Sequence, residues 1–260
     1  MDQETLHLWL ASPDDLLTEE LAQRCLALLS ESERQRWQKF RFERHAREYL
    51  ATRALVRTAL SHFRPTAPEA WQFQANAYGK PALHPDCGLS FNLSNSLELV
   101  VCLIADAGDM GVEVGVDVEA LSRAQQILGV APRVFSLREL AQLNALNGPQ
   151  KLDRAVSLWT LKESYIKARG MGLSLPLEMI SFVFLNGEEI RIELDPSLYD
   201  PAHRWRFCLL DHAGHRMALM VGGTQVPSLQ AREVQPLLST PTRLELSPVT
   251  WFGGLRTTAG

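Results

Sequence analysis

The sequence predicts an α+β fold with antiparallel sheets in two lobes, and three observations carry that expectation. Helical and extended segments come in blocks instead of alternating, which argues against a doubly wound parallel sheet. A run of helices followed by strands fills the first hundred residues, and a similar order roughly recurs after residue 112. Between the two runs, Asp106, Gly108 and Asp109 make a turn near Ala105–Gly111 that reads as a lobe boundary. A chain of 260 residues can build either one large domain or two small lobes with a sizeable core. The expected division is 1–108, 109–222 and an irregular, Pro-rich and polar tail over 223–260.

Taken in order, Thr18 to Leu60 is helical by composition, with Ser30 and Glu33 spaced as a capping box where a new helix starts. Pro65 and Pro68 end that block. Short extended runs follow at Trp71–Ala75, Leu89–Leu93 and Leu97–Ala105, with a turn around Ala77–Pro81. In the second half Val112–Glu119 reads as a strand, Ser136 and Glu139 form a second capping box, and Lys151–Arg169 is a long helix stopped by Gly170 and Gly172. Further strands fit Ile180–Leu185, Ile190–Leu194, Trp205–Leu210 and Met217–Val221.

Composition limits the function. Hydrophobic content of 46% and charged content of 22% are those of an ordinary globular protein. The net charge of −4 hides an asymmetry: Ser32 to Arg57 holds eight Lys/Arg against three Glu, a local +5 that leaves −9 for the rest. A basic segment in an acidic chain suits a polyanionic small molecule, not nucleic acid, which usually demands a basic domain. Cys25, Cys87, Cys102 and Cys208 show no paired spacing and read as buried thiols of a reducing compartment. The N-terminal residues lack the basic-then-apolar layout of a signal peptide, and no apolar run is long enough to span a bilayer. The expectation is a cytoplasmic protein without membrane association.

The chemistry concentrates in two stretches. Val112, Val114, Val116 and Val118 alternate with Asp117 and Glu119, so the valines face a core and both carboxylates share the other strand face. Like charges about 7 Å apart on one face repel unless something neutralises them. Glu163 adds a third carboxylate, with Lys167 one helical turn on. Alone, that pair would be a surface i,i+4 contact worth about 0.3 kcal/mol. Together, three oxygen donors beside a lysine suit a hard divalent cation holding a phosphate. Leu158, Trp159 and Ile166 are spaced as a helix core stripe and read as packing. Gly170-Met171-Gly172 lacks a third glycine and follows a helix, so it is no dinucleotide fingerprint.

GVDVEAL at Gly115–Leu121 followed by WTLKESYIKARGMGLSLPL at Trp159–Leu177, with YGKP at Tyr78–Pro81 and FNLSNS at Phe91–Ser96, strongly resembles the Sfp-type 4'-phosphopantetheinyl transferases. The resemblance covers roughly Ser32 to Val221 and rests on four motifs in the right order. It implies two similar lobes related by a pseudo-twofold, with the active site in the cleft between them. The implied reaction moves the phosphopantetheine arm of coenzyme A onto a serine of an apo acyl or peptidyl carrier protein, releasing 3',5'-ADP. By the same resemblance Asp117, Glu119 and Glu163 are Mg²⁺ ligands at the coenzyme A pyrophosphate, and Glu163 also takes the proton from the carrier serine. Lys167 contacts the pyrophosphate, and Lys162 either does likewise or assists the leaving group. Tyr78, Gly79, Lys80 and Pro81 serve the nucleotide end of coenzyme A, with Asn92 and Ser94 on the same side. Arg36 best matches a cation for the nucleotide phosphates, ahead of Arg47 and Arg53.

One position departs from the family, which usually has His where this chain has Asn95, a group that tends to meet the 3'-phosphate. Asn brings no charge, and charge-assisted bonds are roughly twice as strong as neutral ones. The expected carrier presents an acidic helix, so its docking surface is sought in Gln125–Arg138, including Arg133 and Arg138. A single two-lobed chain that builds its own cleft is expected to act as a monomer. Two rival readings are a metal-dependent phosphodiester or pyrophosphate hydrolase and an inactive relative that only binds. The first would need a second metal cluster, and the second would have lost one of Asp117, Glu119, Glu163 or Lys167.

Overall fold

The computed structural model describes residues 5–106, 108, 112–185, 189–223, 225–235, 237–247 and 249–253. The first lobe opens with strand β1 (Thr5–Ala11), whose Leu6, Leu8 and Leu10 alternate with His7 and Trp9. Helices α1 (Glu19–Ala27), α2 (Glu31–Trp37) and α3 (Glu43–Ser61) follow. Both halves of the Ser30/Glu33 capping box form: Ser30 Oγ accepts the Glu33 amide at 3.3 Å, and Glu33 accepts the Ser30 amide at 2.9 Å. A small hairpin, β2 (Phe73–Ala75) and β3 (Pro81–Leu83), leads into β4 (Leu89–Ser96) and β5 (Leu99–Asp106). The turn read at Ala105–Gly111 lies mostly outside the described residues.

In the second lobe β6 (Val114–Ala120) precedes helices α4 (Ala124–Val134), α5 (Leu137–Asn144) and α6 (Gly148–Arg169). Gly170 ends α6 in the left-handed conformation (φ 63°), its amide bonding Ile166 O. The capping box of Ser136 and Glu139 also forms, at 3.2 and 2.8 Å. Hairpins β7 (Ile180–Leu185)/β8 (Glu189–Leu194) and β9 (Trp205–His212)/β10 (His215–Gly222) complete the lobe. This is the α+β, antiparallel architecture the sequence predicts. Among the described residues no helix is long and apolar enough to cross a membrane.

Beyond Gly222 the structure corrects the sequence reading. The segment expected to be an irregular tail contains β11 (Ser228–Val234), which pairs in parallel with all seven residues of β1, from Thr5↔Ser228 to Ala11↔Val234. Next, β12 (Thr242–Leu244) adds to β11, and β13 (Phe252–Gly253) adds to β9 of the other lobe. The larger sheet therefore runs β12-β11-β1-β5-β4 and the smaller β13-β9-β10-β6.

Three buried clusters result. One lies under α1 and α3 of the first lobe and a second around α4, α6 and β7–β10 of the second. The third joins the sheets: Leu6, Leu8 and Leu10 of β1 and Val101 and Leu103 of β5 pack with Val116 and Val118 of β6 and Leu219 of β10. Leu229, Leu244, Leu246, Val249 and Trp251 from the C-terminal segment pack against that cluster. The expected half-buried strand at Val112–Glu119 is in fact buried on both faces along all of β6.

Candidate active site

The lobes meet where edge strand β4 lies beside edge strand β6. An edge strand presents unpaired amides, and here side chains supply the acceptors. Asn92 Oδ1, Ser94 Oγ and Ser96 Oγ accept the amides of Val116, Val118 and Ala120 at 2.9, 3.2 and 3.1 Å. Both sets advance by two residues because side chains and outward amides of a strand share that period. The Asn-x-Ser-x-Ser spacing of FNLSNS is thus the spacing needed to zip onto a strand edge.

On the other side of β6 lies α6. Gly115 makes the approach possible, since a Cβ there would fall 2.0 Å from Ser164 O. Two strand residues advance about 6.7 Å and four helix residues about 6 Å, so alternate strand positions meet successive helical turns. Trp159 Nε1 donates to Glu119 Oε1 at 3.1 Å, and Lys167 Nζ to Asp117 Oδ1 at 2.7 Å. Glu163 lies on the same stripe between Trp159 and Lys167. Trp159, read from the sequence as packing, also serves the site as a hydrogen-bond donor.

The carboxylates differ in how they are satisfied. Asp117 is 4% exposed. Its Oδ1 accepts Ser94 Oγ at 3.0 Å as well as Lys167, while its buried Oδ2 has no partner. Ser94 Oγ also accepts Lys167 Nζ at 2.7 Å. The Glu163 side chain makes no hydrogen bond or ion pair with another described residue; burial, then the Asp117 charge, raises its pKa, with Lys167 opposing. Glu119, 7% exposed, is fully engaged: besides Trp159, its Oε2 accepts Ser96 Oγ at 3.2 Å and Arg123 Nη1 at 2.6 Å. Burial and the Asp117 charge raise its pKa too, and Arg123 opposes them. Consequently the three acids do not form a ready ligand set, and among the described residues no three His, Cys, Asp or Glu side chains converge as one.

A cavity of about 260 Å³ opens beside these groups. Tyr78, Gly79, Lys80, Pro81 and Asn92 line it from the first lobe, and Glu163, Lys167 and Gly170 from the second. Lys80 reaches across the lobes: its Nζ donates to Val114 O at 3.1 Å and Ala168 O at 2.8 Å, and burial pulls its pKa down to about 8. Asn76 donates to Gly170 O at 2.8 Å from the same hairpin. The YGKP loop therefore caps the C-terminal end of α6, where a cation is favoured by the helix dipole.

Two assignments need correction or relocation. Lys162 is 2% exposed and forms a 2.7 Å pair with the fully buried Glu139, donating also to Leu177 O and Ile180 O. Burial lowers its pKa and raises that of Glu139. One residue is about 100° of helix rotation, so Lys162 points into the second lobe's core when Glu163 points at the cleft, and a catalytic role for it is withdrawn. Arg36 does not line the cavity; its guanidinium sits over the Tyr49 ring at 5.5 Å, beside that of Arg53 at 5.2 Å. Arg47 pairs with Glu43 at 2.6 Å. Asn95 is exposed, with its amide 3.4 Å from Glu48 Oε2. Arg123 was missed, although a cation four residues after Glu119 is a visible signal.

Comparison with known proteins identifies the family. Residues 113–220 match the 4'-phosphopantetheinyl transferase superfamily, and residues 16–107 match the N-terminal region of 4'-phosphopantetheinyl transferases. The chain is 31% identical over 197 residues to 4'-phosphopantetheinyl transferase HetI of Nostoc sp., covering 75% of this chain and 80% of that protein. It is 30% identical over 190 residues to 4'-phosphopantetheinyl transferase Sfp of Bacillus subtilis, covering 73% and 81%. A crystal structure of a holo-(acyl-carrier-protein) synthase from Bacillus anthracis aligns at 18% identity with a TM-score of 0.37, over 44% of this chain and 96% of that one. On the matches to both lobes and the extent of the sequence identity, the chain belongs to the 4'-phosphopantetheinyl transferase superfamily and is an enzyme of that class.

Proposed function

We propose that the enzyme transfers the 4'-phosphopantetheine arm of coenzyme A to a serine of an apo acyl or peptidyl carrier protein, releasing 3',5'-ADP, with Mg²⁺ held by Asp117 and Glu163. The observation that carries the metal assignment is Asp117 Oδ2, a buried oxygen without a partner. Such an oxygen costs about 1–3 kcal/mol, and a hard cation would relieve it. Bound there, Mg²⁺ would neutralise charge developing on the departing 3',5'-ADP. The Lys167 ammonium sits on the other Asp117 oxygen.

The residues divide the work. Lys167, in contact with both Asp117 and the cavity, is free to turn one proton toward a pyrophosphate oxygen. Glu163, whose side chain lines the cavity without a hydrogen-bond partner among the described residues, suits a general base: it takes the serine proton as the serine oxygen bonds the phosphorus bearing pantetheine and the bond to 3',5'-ADP breaks. The Tyr78–Pro81 loop and Asn92 form the first-lobe wall of the cavity, which supports their role at coenzyme A. The Asn95 amide faces the Glu48 carboxylate, which favours a weak hold on the 3'-phosphate. We read residues 1–108 and 109–222 as the two catalytic lobes. One chain supplies both walls of the cleft, in keeping with a monomer. For the carrier, exposed Arg133 on α4 remains the better docking candidate, because Arg138 already pairs with Glu193 at 2.6 Å.

Intact-mass analysis of an apo acyl carrier protein and of a peptidyl carrier domain, each incubated with the enzyme, coenzyme A and Mg²⁺, tests the proposal. The expected result is a mass gain of one phosphopantetheine arm on at least one carrier, abolished by EDTA. Unchanged mass on both carriers would contradict it.

A further inference from the structure

Asp117 and Glu119 occupy equivalent positions on one strand face and are both buried, yet only Asp117 keeps an oxygen free. Glu119 meets three donors of different character. Ser96 belongs to the polar seam between the lobes, and its Oγ also accepts the Ala120 amide. Trp159 is fixed in α6. Arg123 is different: it follows β6 on a single 3-10 turn (Leu121–Arg123), its side chain is 40% exposed, and it is the one cation paired with Glu119 among the described residues.

We propose that Arg123 is a latch on Glu119, competing with the divalent cation for that carboxylate and so setting the affinity of the site for metal. The proposal rests on the reading of Asp117 and Glu163 as metal ligands. Arg123 acts through Glu119, which makes it a positioning residue. With the latch closed, Arg123 and Lys167 offset two of the three carboxylate charges and Glu119 is withheld from the ion. With it open, Glu119 Oε2 keeps only the Ser96 hydroxyl as a partner and the site gains one negative charge. A partly exposed ion pair is worth up to about 1 kcal/mol, so removing Arg123 should tighten cation binding about three- to fivefold at moderate salt.

The test is Mn²⁺ binding to the full chain, without coenzyme A, followed by the electron paramagnetic resonance signal of free Mn²⁺. Wild type, Arg123→Gln, Arg123→Lys, Glu119→Gln and the double variant Glu119→Gln/Arg123→Gln would be compared, with Asp117→Ala as reference and thermal melts to establish folding. The latch predicts a three- to fivefold lower Kd for Arg123→Gln, a near wild-type Kd for Arg123→Lys, and no tightening by Arg123→Gln once Glu119 is Gln. An unchanged or higher Kd in folded Arg123→Gln would overturn the latch while leaving the metal reading intact. Equal tightening in the Glu119→Gln background would also overturn it, because the effect would then be general charge repulsion. Failure of wild type to bind Mn²⁺, or equal binding by Asp117→Ala, would overturn the metal reading and the latch with it.

Discussion

The two lobes are joined by two seams of opposite chemistry. One is polar: Asn92, Ser94 and Ser96 bond the amides of β6 and reach the carboxylates of the cleft. The other is apolar: Leu6, Leu8 and Leu10 face Val116, Val118 and Leu219 under a C-terminal segment that spans both sheets. The apolar seam gains its stability from area and is indifferent to direction. The polar seam contributes little net stability per bond but fixes atoms, because each hydroxyl must satisfy particular donors and acceptors. Holding the lobes together and aiming the carboxylates are thus separate tasks, given to separate surfaces.

Removing the chain after Gly222 should break the apolar seam and give the largest effect. It strips β11 from β1 and uncovers the third cluster, while deleting buried Ala231, Val234 and Leu237. Each large apolar side chain is worth about 1.5–3 kcal/mol, so the loss approaches the 5–15 kcal/mol stability of a whole domain. The truncated protein is expected to be insoluble or unfolded by circular dichroism; a cooperative melt near that of wild type would show the segment to be dispensable.

Ser94→Ala and Ser96→Ala separate aim from attachment. Each leaves one β6 amide and one carboxylate without a seam partner, at about 1–3 kcal/mol, so both should lower Tm by several degrees. Only Ser94 also contacts Lys167 and Asp117. Ser94→Ala should therefore slow single-turnover transfer about tenfold or more, with a much smaller change in Ser96→Ala. Equal slowing by both would mean the seam acts only through stability.

The smallest expected effect is a pH response on the opposite face of β1, where the His7 ring meets Phe63 of the first lobe. His7 on β1 lies 3.1 Å from Arg232 on β11, and burial, then the Arg232 charge, lowers its pKa from 6.5 to about 4. The unfolded chain thus binds more protons between those values, and stability present above pH 6.5 is lost as pH falls toward 4. Allowing for partial exposure, the loss is about 1–2 kcal/mol. Urea melts from pH 7 to 4.5 should show this slope in wild type and a shallower one in His7→Gln; identical slopes would remove His7 from the account.

Much of the polar side was legible in the sequence because its signals are local. Capping boxes, the Gly170 stop, the Val/acid alternation and the Glu163–Lys167 turn each lie within a few residues. The apolar side was not, since β11 finds its partner 223 residues away in β1 and its own pattern, SLQAREV, is mostly polar. Lys162 misled for a related reason: its neighbour in sequence faces the cleft, while its own partner Glu139 lies on another helix. Glu119 was recognised as a site residue, but its engagement by Arg123, Ser96 and Trp159 required three elements to be placed in space.

The central claim is that Asp117 couples a divalent cation to the coenzyme A pyrophosphate. Calorimetric titration of coenzyme A into wild type and Asp117→Asn, each with and without Mg²⁺, tests it directly. The account predicts that Mg²⁺ tightens coenzyme A binding to wild type by tenfold or more, a coupling of about 1.4 kcal/mol, and leaves binding to Asp117→Asn unchanged. Equal tightening in both proteins would contradict it.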